Sequence, residues 1–502
     1  MRASSRWTLA ATTVGSSLTF IDGTVVNVAI PALQANLHAT ITDVQWVIEA
    51  YALFLGALIL VGGSAGDQFG RKRLFLIGVV IFTGASVLCG LSNSAPALIA
   101  ARAIQGVGAA FLVPASLAII TATFDDATRG QAIGVWSGFS AITAAIGPVM
   151  GGWLIDHISW RAAFLLNVPL AAAVVIITWR FVEESRDPSR THQIDWAGAA
   201  LATLGLGLLV FGLLEWPRAG ADSRLVTGTL AGGVVGLILF VVVERRSPNP
   251  MLSLQLFRSR TFSLTNALTL FLYGALAIVL FLVPINLIEL QKYTATQAGA
   301  ALLPFPLTMF VLSRWSGGLV ARVDPRVPLA AGPMIAAAGI ALYARPSIGG
   351  TYWTTFFPAT AVVGLGMALT VAPLTTTVMN AVEARHSGVA SGVNNAVSRV
   401  AGLLAIAVFG VLLTGAFRSV VNPGIDRLVD PSTRGVVDRE LTKMAAADVS
   451  VLPLDASRRS AVGALIDHAF VHAFRRVIVG ASVLAFIAGL AGAVLPSRRQ
   501  HR

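Results

Sequence analysis

Five ionisable side chains stand inside long apolar runs of this chain: the carboxylates of Asp22 and Glu49 and the guanidinium groups of Arg102, Arg314 and Arg399. A charge in hydrocarbon is expensive, and such residues are kept where they face a partner, a water-filled cavity or a transport pathway. Asp22 lies in Phe20-Ile-Asp-Gly-Thr-Val-Val-Asn-Val-Ala-Ile-Pro31, nine positions before the proline. At 1.5 Å per residue that puts it about 13 Å below the outer end of a helix. Arg102 lies a few residues inside the start of the fourth apolar run, and Glu49 is similarly placed in the second. The three therefore fall in one layer of an N-terminal bundle. Arg102 is the natural partner of Asp22, because an unpaired buried charge costs several kcal/mol. Two readings of the pair stay open: a static bridge between helices, or a carboxylate that alternates between a proton and a cation. Glu49 reads either as a cation-recognising carboxylate or as a rim residue. Arg314 and Arg399 must face a cavity or a partner, and Arg314 would disfavour cations or attract an anionic group.

The elements that hold these residues are apolar helices. Of 502 residues, 55% are hydrophobic and only 12% charged, and the mean hydropathy is +0.77. Soluble domains carry about a quarter charged residues. The apolar residues come in blocks of about twenty, the length that crosses roughly 30 Å of hydrocarbon. The chain is thus expected to be an all-α polytopic membrane protein. About fourteen spans are expected, over 7–31, 44–63, 74–91, 97–122, 131–155, 162–182, 196–214, 225–243, 262–290, 296–320, 327–343, 353–378, 388–417 and 477–495. Arg2 and Arg6 precede the first run as in a signal peptide, but the run is too long for one and reads as a retained helix. Cys89 is the single cysteine, which excludes an intrachain disulfide.

The net charge of +12 sits in short links, such as Arg71-Lys72-Arg73, Arg245-Arg246 and Arg498-Arg499. That is the positive-inside pattern and contact with anionic lipid, not nucleic-acid binding. It places both termini in the cytoplasm, with the loop at about 418–468 on the far side. No Gly-x-x-x-x-Gly-Lys loop is present, and His468 and His472 have no cysteine or acidic cluster to complete a metal site. An enzyme and a resident cofactor are not expected. The layout is an N-terminal six-helix bundle over 1–182, two linking spans within 183–260, and a C-terminal six-helix bundle over 261–502. The turn Gly63-Ser-Ala-Gly66-Asp67-Gln-Phe-Gly70-Arg71-Lys-Arg73 has a weak echo in Gly317-Gly-Leu-Val-Ala-Arg322-Val-Asp324-Pro-Arg326. Such a repeat between halves is common in secondary transporters.

The turn at 63–73 resembles the signature loop of the major facilitator superfamily, departing from it at Ala65 and Gln68. Leu98-Ile-Ala-Ala-Arg102-Ala-Ile-Gln105-Gly106-Val-Gly108 is similar to the superfamily's fourth-helix motif. Gly147-Pro148-Val-Met-Gly151-Gly152 resembles its antiporter motif, with Thr143 where a glycine is usual. Ile21-Asp22-Gly-Thr24-Val-Val-Asn27-Val-Ala29-Ile-Pro31 resembles the first-helix motif of the drug:proton antiporter branch with fourteen helices. Trp46, Tyr51 and Trp160-Arg161-Ala-Ala-Phe164-Leu-Leu-Asn167-Val-Pro169 fit the same branch, and Asn394-Asn-Ala-Val-Ser-Arg399 resembles a further family pattern.

The resemblance implies a major facilitator fold, two six-helix bundles with two additional central helices. It implies a monomeric, proton-coupled antiporter in the cytoplasmic membrane of a bacterium, exporting small hydrophobic, cationic drugs by alternating access. Export of an endogenous lipid or metabolite is the alternative, and a non-transporting receptor or scaffold on the same fold is a third. By resemblance Asp22 and Arg102 are coupled to proton exchange; Glu49, whose family position is variable, Asn27 and Gln105 are further candidate coupling or substrate residues. Gly63, Gly66, Asp67, Gly70 and Arg71, with Gly147, Pro148, Gly151 and Gly152, would govern conformational change; a plain packing face remains open for the fifth span. Arg314, Arg399 and Tyr51 are candidate cavity residues, and Phe139, Phe271, Tyr273, Phe281 and Phe305 candidate aromatics for an amphiphile pocket.

Overall fold

The computed structural model describes residues 3–124, 126–186, 195–248, 250, 252, 254–382 and 387–496, and among them there is no strand. The first set of helices is α1 (Ala3–Leu37), α2 (Ile41–Phe69), α3 (Arg71–Leu91), α4 (Ala95–Thr123), α5 (Asp126–His157), α6 (Trp160–Leu165) and α7 (Asn167–Phe181). A linking pair follows, α8 (Trp196–Ala219) and α9 (Arg224–Arg246). The second set is α10 (Arg260–Ile285), α11 (Ala295–Ala301), α12 (Pro304–Arg322), α13 (Arg326–Leu342), α14 (Tyr352–Thr355), α15 (Phe357–Asn380), α16 (Ser387–Leu428), α17 (Arg434–Leu441) and α18 (Ala456–Ala493). Twelve described segments are long and apolar enough to cross a membrane, and α13 is a shorter apolar helix. The protein is a multi-pass membrane protein.

Local chemistry explains the breaks. Thr40 and Asp43 form a reciprocal capping box that starts α2, with Thr40 N–H donating to Asp43 at 2.8 Å and Asp43 N–H to Thr40 Oγ1 at 3.1 Å. Between α2 and α3 stands the single residue Gly70, at φ +110°, a conformation that side chains with a Cβ resist. Pro304 and Pro306 end the short α11 and open α12, since proline cannot donate within a helix.

The segment expected as a loop over 418–468 is largely helical. α16 continues to Leu428 and α18 begins at Ala456, leaving a small lobe over 429–455. Val437, Leu441, Met444, Leu452 and Leu454 of this lobe join the core of the second half. The lobe also reaches the first half. Ile41 N–H donates to the Thr442 carbonyl at 3.1 Å, and Gln34 Nε2 to the Lys443 carbonyl at 3.3 Å.

The two halves meet along seams of small residues near this lobe. A Cβ on Gly152 of α5 would run into the Ala295 backbone of α11, and one on Gly299 into the Pro148 carbonyl. Between α2 and α16, the amide of Gln45 occupies the space a side chain on Gly410 would need. Helix α8 closes one flank through Leu206, Val210 and Leu214, which pack with Leu53 of α2 and Leu403 and Ala407 of α16. Helix α9 turns Val234, Val235, Ile238 and Leu239 outward, as a lipid-facing helix must.

Candidate functional site

The polar centre of the first half is built from four helices. Asp22 of α1 accepts from Arg102 of α4 through Nη1, and its second oxygen accepts from Gln105 Nε2 at 2.9 Å. Arg102 and Gln105 lie one turn apart on α4, so both reach the same carboxylate. Arg102 Nη1 also donates to Gln105 Oε1 at 2.7 Å, and its Nε to the Val47 carbonyl of α2 at 3.0 Å. The guanidinium lies over the Tyr51 ring, 4.3 Å from its centroid, with Phe164 at 5.9 Å. Asp22 and Arg102 are 2% and 1% exposed, so neither is hydrated.

The network continues into residues that were not singled out as site candidates from the sequence. Gln105 Nε2 donates to Ser86 Oγ at 3.1 Å, and Asn167 Nδ2 donates to the same oxygen at 2.8 Å. Ser86 in turn donates to the Phe164 carbonyl at 3.0 Å, and the Cys89 thiol to Gln105 Oε1 at 3.7 Å. Asn167 stands in the Trp160–Pro169 stretch quoted above, which was its signal. Ser86 gives no signal beyond being polar in an apolar run. A carboxylate held this way has two ways to be satisfied: the guanidinium with its amide neighbour, or a proton.

Other expected residues are placed differently. Glu49 is fully buried, yet neither of its oxygens accepts a hydrogen bond, and Arg102 reaches past it to Val47. Gln45, one turn before Glu49 on α2, is likewise buried, with its Nε2 unpartnered at the α16 seam. Asn27 does not join Asp22; its amide donates to the Gly23 carbonyl of its own helix at 3.3 Å. The Tyr51 hydroxyl is buried and has no partner. Arg399 of α16 lies half-buried opposite Gly56 of α2. The side chains of Arg314 and Asp67 lie outside the described residues. Of the aromatics, Phe281 is buried in the core of the second half, while Phe139 is 52% exposed.

The glycine motifs are close-approach sites. Gly147 and Gly151 of α5 face Thr24 and Val25 of α1, while Gly152 faces α11, so one motif packs against both halves. Gly63 and Gly66 have only loose neighbours, Pro114 and Leu74. Asp67 sits in the last turn of α2. The start of α3 is capped by Glu184. Its carboxylate accepts from the backbone N–H of Lys72 at 3.0 Å and of Arg73 at 3.1 Å, and Arg71 N–H donates to the Ser185 carbonyl at 3.0 Å. A Cβ on Gly70 would come within 2.7 Å of the Glu184 carboxyl carbon.

The model of one protein family, described as the Major Facilitator Superfamily, matches residues 12–406. The chain belongs to the Major Facilitator Superfamily. As a member of it, the protein is a transporter and not an enzyme. Relatives within the superfamily include a protein named Multidrug resistance protein Stp from Mycobacterium tuberculosis, 35% identical over 86% of this chain and 80% of its own length. The Tetracenomycin C resistance and export protein of Streptomyces glaucescens is 31% identical, covering 89% of this chain and 82% of its own. The Drug efflux pump JefA of M. tuberculosis is 29% identical across 96% and 97%. Among solved structures, a bacterial homolog of the human lysosomal transporter Spinster superposes over 98% of this chain and 97% of its own, with a TM-score of 0.67 at 15% identity. That likeness is one of superfamily fold.

Proposed function

We propose that this protein exports hydrophobic compounds across the cytoplasmic membrane of a bacterium by alternating access, in exchange for protons bound at Asp22. The observation that carries the reading is the sealed network of Asp22, Arg102 and Gln105. Because Asp22 is satisfied by the guanidinium or by a proton, movement of Arg102 and proton uptake are linked. Names of relatives that contain multidrug resistance, or resistance and export, support efflux as the direction.

In this reading the basic face at Arg71–Arg73 is cytoplasmic, which puts both termini inside. The seam between α5 and α11 then closes the opposite side, and the described state faces inward. Gly147, Pro148, Gly151 and Gly152 serve as the part of α5 that parts from α11 when the outer side opens. Gly70, Arg71 and Glu184 fix the α2–α3 corner about which the first half turns. Gln45 is uncovered by the same opening, because it lies against α16.

The deciding experiment uses the purified protein in proteoliposomes with an imposed pH gradient and a fluorescent hydrophobic probe. Gradient-driven probe movement is expected in the wild type and absent in Asp22→Asn. Undiminished gradient-driven movement in Asp22→Asn would sink proton coupling at this residue.

A further inference from the structure

The charge of the cargo can be read from what the space between the halves offers. In the middle of its apolar spans the sequence has two acids, Asp22 and Glu49, and three arginines, Arg102, Arg314 and Arg399. Neither acid is available to a visiting cation in the described state. Asp22 already accepts from Arg102 and Gln105, and Glu49 is 0% exposed.

Arg399 is placed otherwise. It projects from α16 opposite Gly56 of α2, where a Cβ would lie 3.4 Å from the arginine's own. It keeps part of its surface exposed, and among the described residues it has no ion pair and donates to no protein acceptor. Tyr273 of α10, a helix packed against α16, is likewise partly exposed. Asn266, Thr269 and Tyr273 recur at helical spacing on α10. Asn394 of α16 donates to Asn266 Oδ1 at 3.1 Å and to Thr269 Oγ1 at 2.7 Å, a buried polar seam between α16 and α10.

A guanidinium at mid-membrane depth with its donors unused is costly unless water or an anion meets it. Its planar fork matches a carboxylate in two parallel hydrogen bonds. We infer that the cargo is an anionic amphiphile, whose carboxylate or similar oxyanion is received by the guanidinium of Arg399. This reverses the cationic cargo expected from family resemblance, and it rests on the transport reading given above.

The test uses three probes of one shape: dansyl-undecanoic acid, its primary amide, and the amine of matching length. Binding to the purified protein is measured by dansyl fluorescence, and movement by the same signal in proteoliposomes under a pH gradient. The wild type is expected to bind the carboxylate about tenfold tighter than the amine. Arg399→Gln should lose that preference while binding the amide as before, and Arg399→Lys should keep part of it. A wild-type preference for the amine overturns the inference, and that comparison needs no variant. So does an equal loss of all three probes in a folded Arg399→Gln. Displacement of the carboxylate by phosphatidylglycerol micelles, with no gradient-driven movement of it, would assign Arg399 to a lipid headgroup and overturn the cargo assignment. If the carboxylate binds through Arg399 but a gradient moves no probe, the transport reading fails while the anion site stands.

Discussion

Asp156 holds Thr296 twice, accepting from its backbone N–H at 2.8 Å and from its hydroxyl at 2.5 Å. A third bond comes from the Ala295 N–H at 3.1 Å. One carboxylate at the end of α5 thus caps the first turn of α11, a helix of the other half. It supplies acceptors for N–H groups that a helix start leaves open.

This clasp has a defined pH dependence. Burial pushes the Asp156 carboxyl up, but the bonds from Thr296 and Ala295 prevail and hold it below its ordinary value. A lowered value in the closed state means that the clasp is complete above the ordinary carboxylate range and is lost as pH falls through the lowered value. Protection factors for hydrogen exchange over 295–301, taken relative to the intrinsic rate at each pH, should therefore fall on acidification below about pH 4. Asp156→Ala should show the faster exchange at every pH, by a factor matching a lost cap of about 1 kcal/mol. Identical exchange in wild type and variant at neutral pH would refute the clasp.

The Asp22 pair makes a stability prediction. Arg102→Met leaves a carboxylate buried with only the Gln105 amide for company, and should cost about 3–5 kcal/mol. Asp22→Asn keeps an acceptor oxygen for Arg102 and should fold. In thermal melts, the double variant Asp22→Asn/Arg102→Met should recover most of the loss, because no charge is then stranded. Additive losses would mean that the two residues do not act on each other.

Gly152 is predicted to be intolerant of size. Any side chain there meets the Ala295 backbone, which cannot rotate away. Gly152→Val should separate α5 from α11, and a cysteine placed at Thr296 should then label about tenfold faster with a membrane-impermeant maleimide. Unchanged labelling would show that the seam can absorb the bulk elsewhere.

At the other face, Gly70→Ala combines a left-handed backbone with a carboxylate in the way. The backbone alone should cost about 1–2 kcal/mol. Glu184→Ala removes the cap on α3 and should cost about 1 kcal/mol. Melting curves in detergent check both, and the order of the two losses is the critical outcome.

The sequence was readable where physics leaves one solution. A buried carboxylate needs a counter-charge, and Arg102 was the one basic residue in its layer, so that pairing was legible. Asn27 shares a motif with Asp22 but lies five positions on, about 140° round the helix, and its amide stays on its own backbone. Glu184 could not be read as the cap of α3, because the contact joins residues more than a hundred positions apart and depends on where α7 ends. Hydropathy also gave no sign that the segment 418–468 is largely helical. It registers apolar residues only, whereas α16 and α18 extend past the apolar zone on amphipathic turns held by the lobe, including the ion pairs of Arg458 with Asp430 at 2.9 Å and Lys443 with Glu440 at 2.8 Å.

Among the described residues, every hydrogen-bonding partner of Asp22, direct or relayed, comes from the first 167 residues: Arg102, Gln105, Ser86, Cys89, Asn167 and the carbonyls of Val47 and Phe164. Arg399, Tyr273 and Asn394 come from the second half. On the proposed reading, proton binding and cargo recognition would thus lie in different halves of the chain, and hybrids would test that division. A chimera that keeps residues 1–182 and takes its second half from a relative should run on the same proton while carrying that relative's freight.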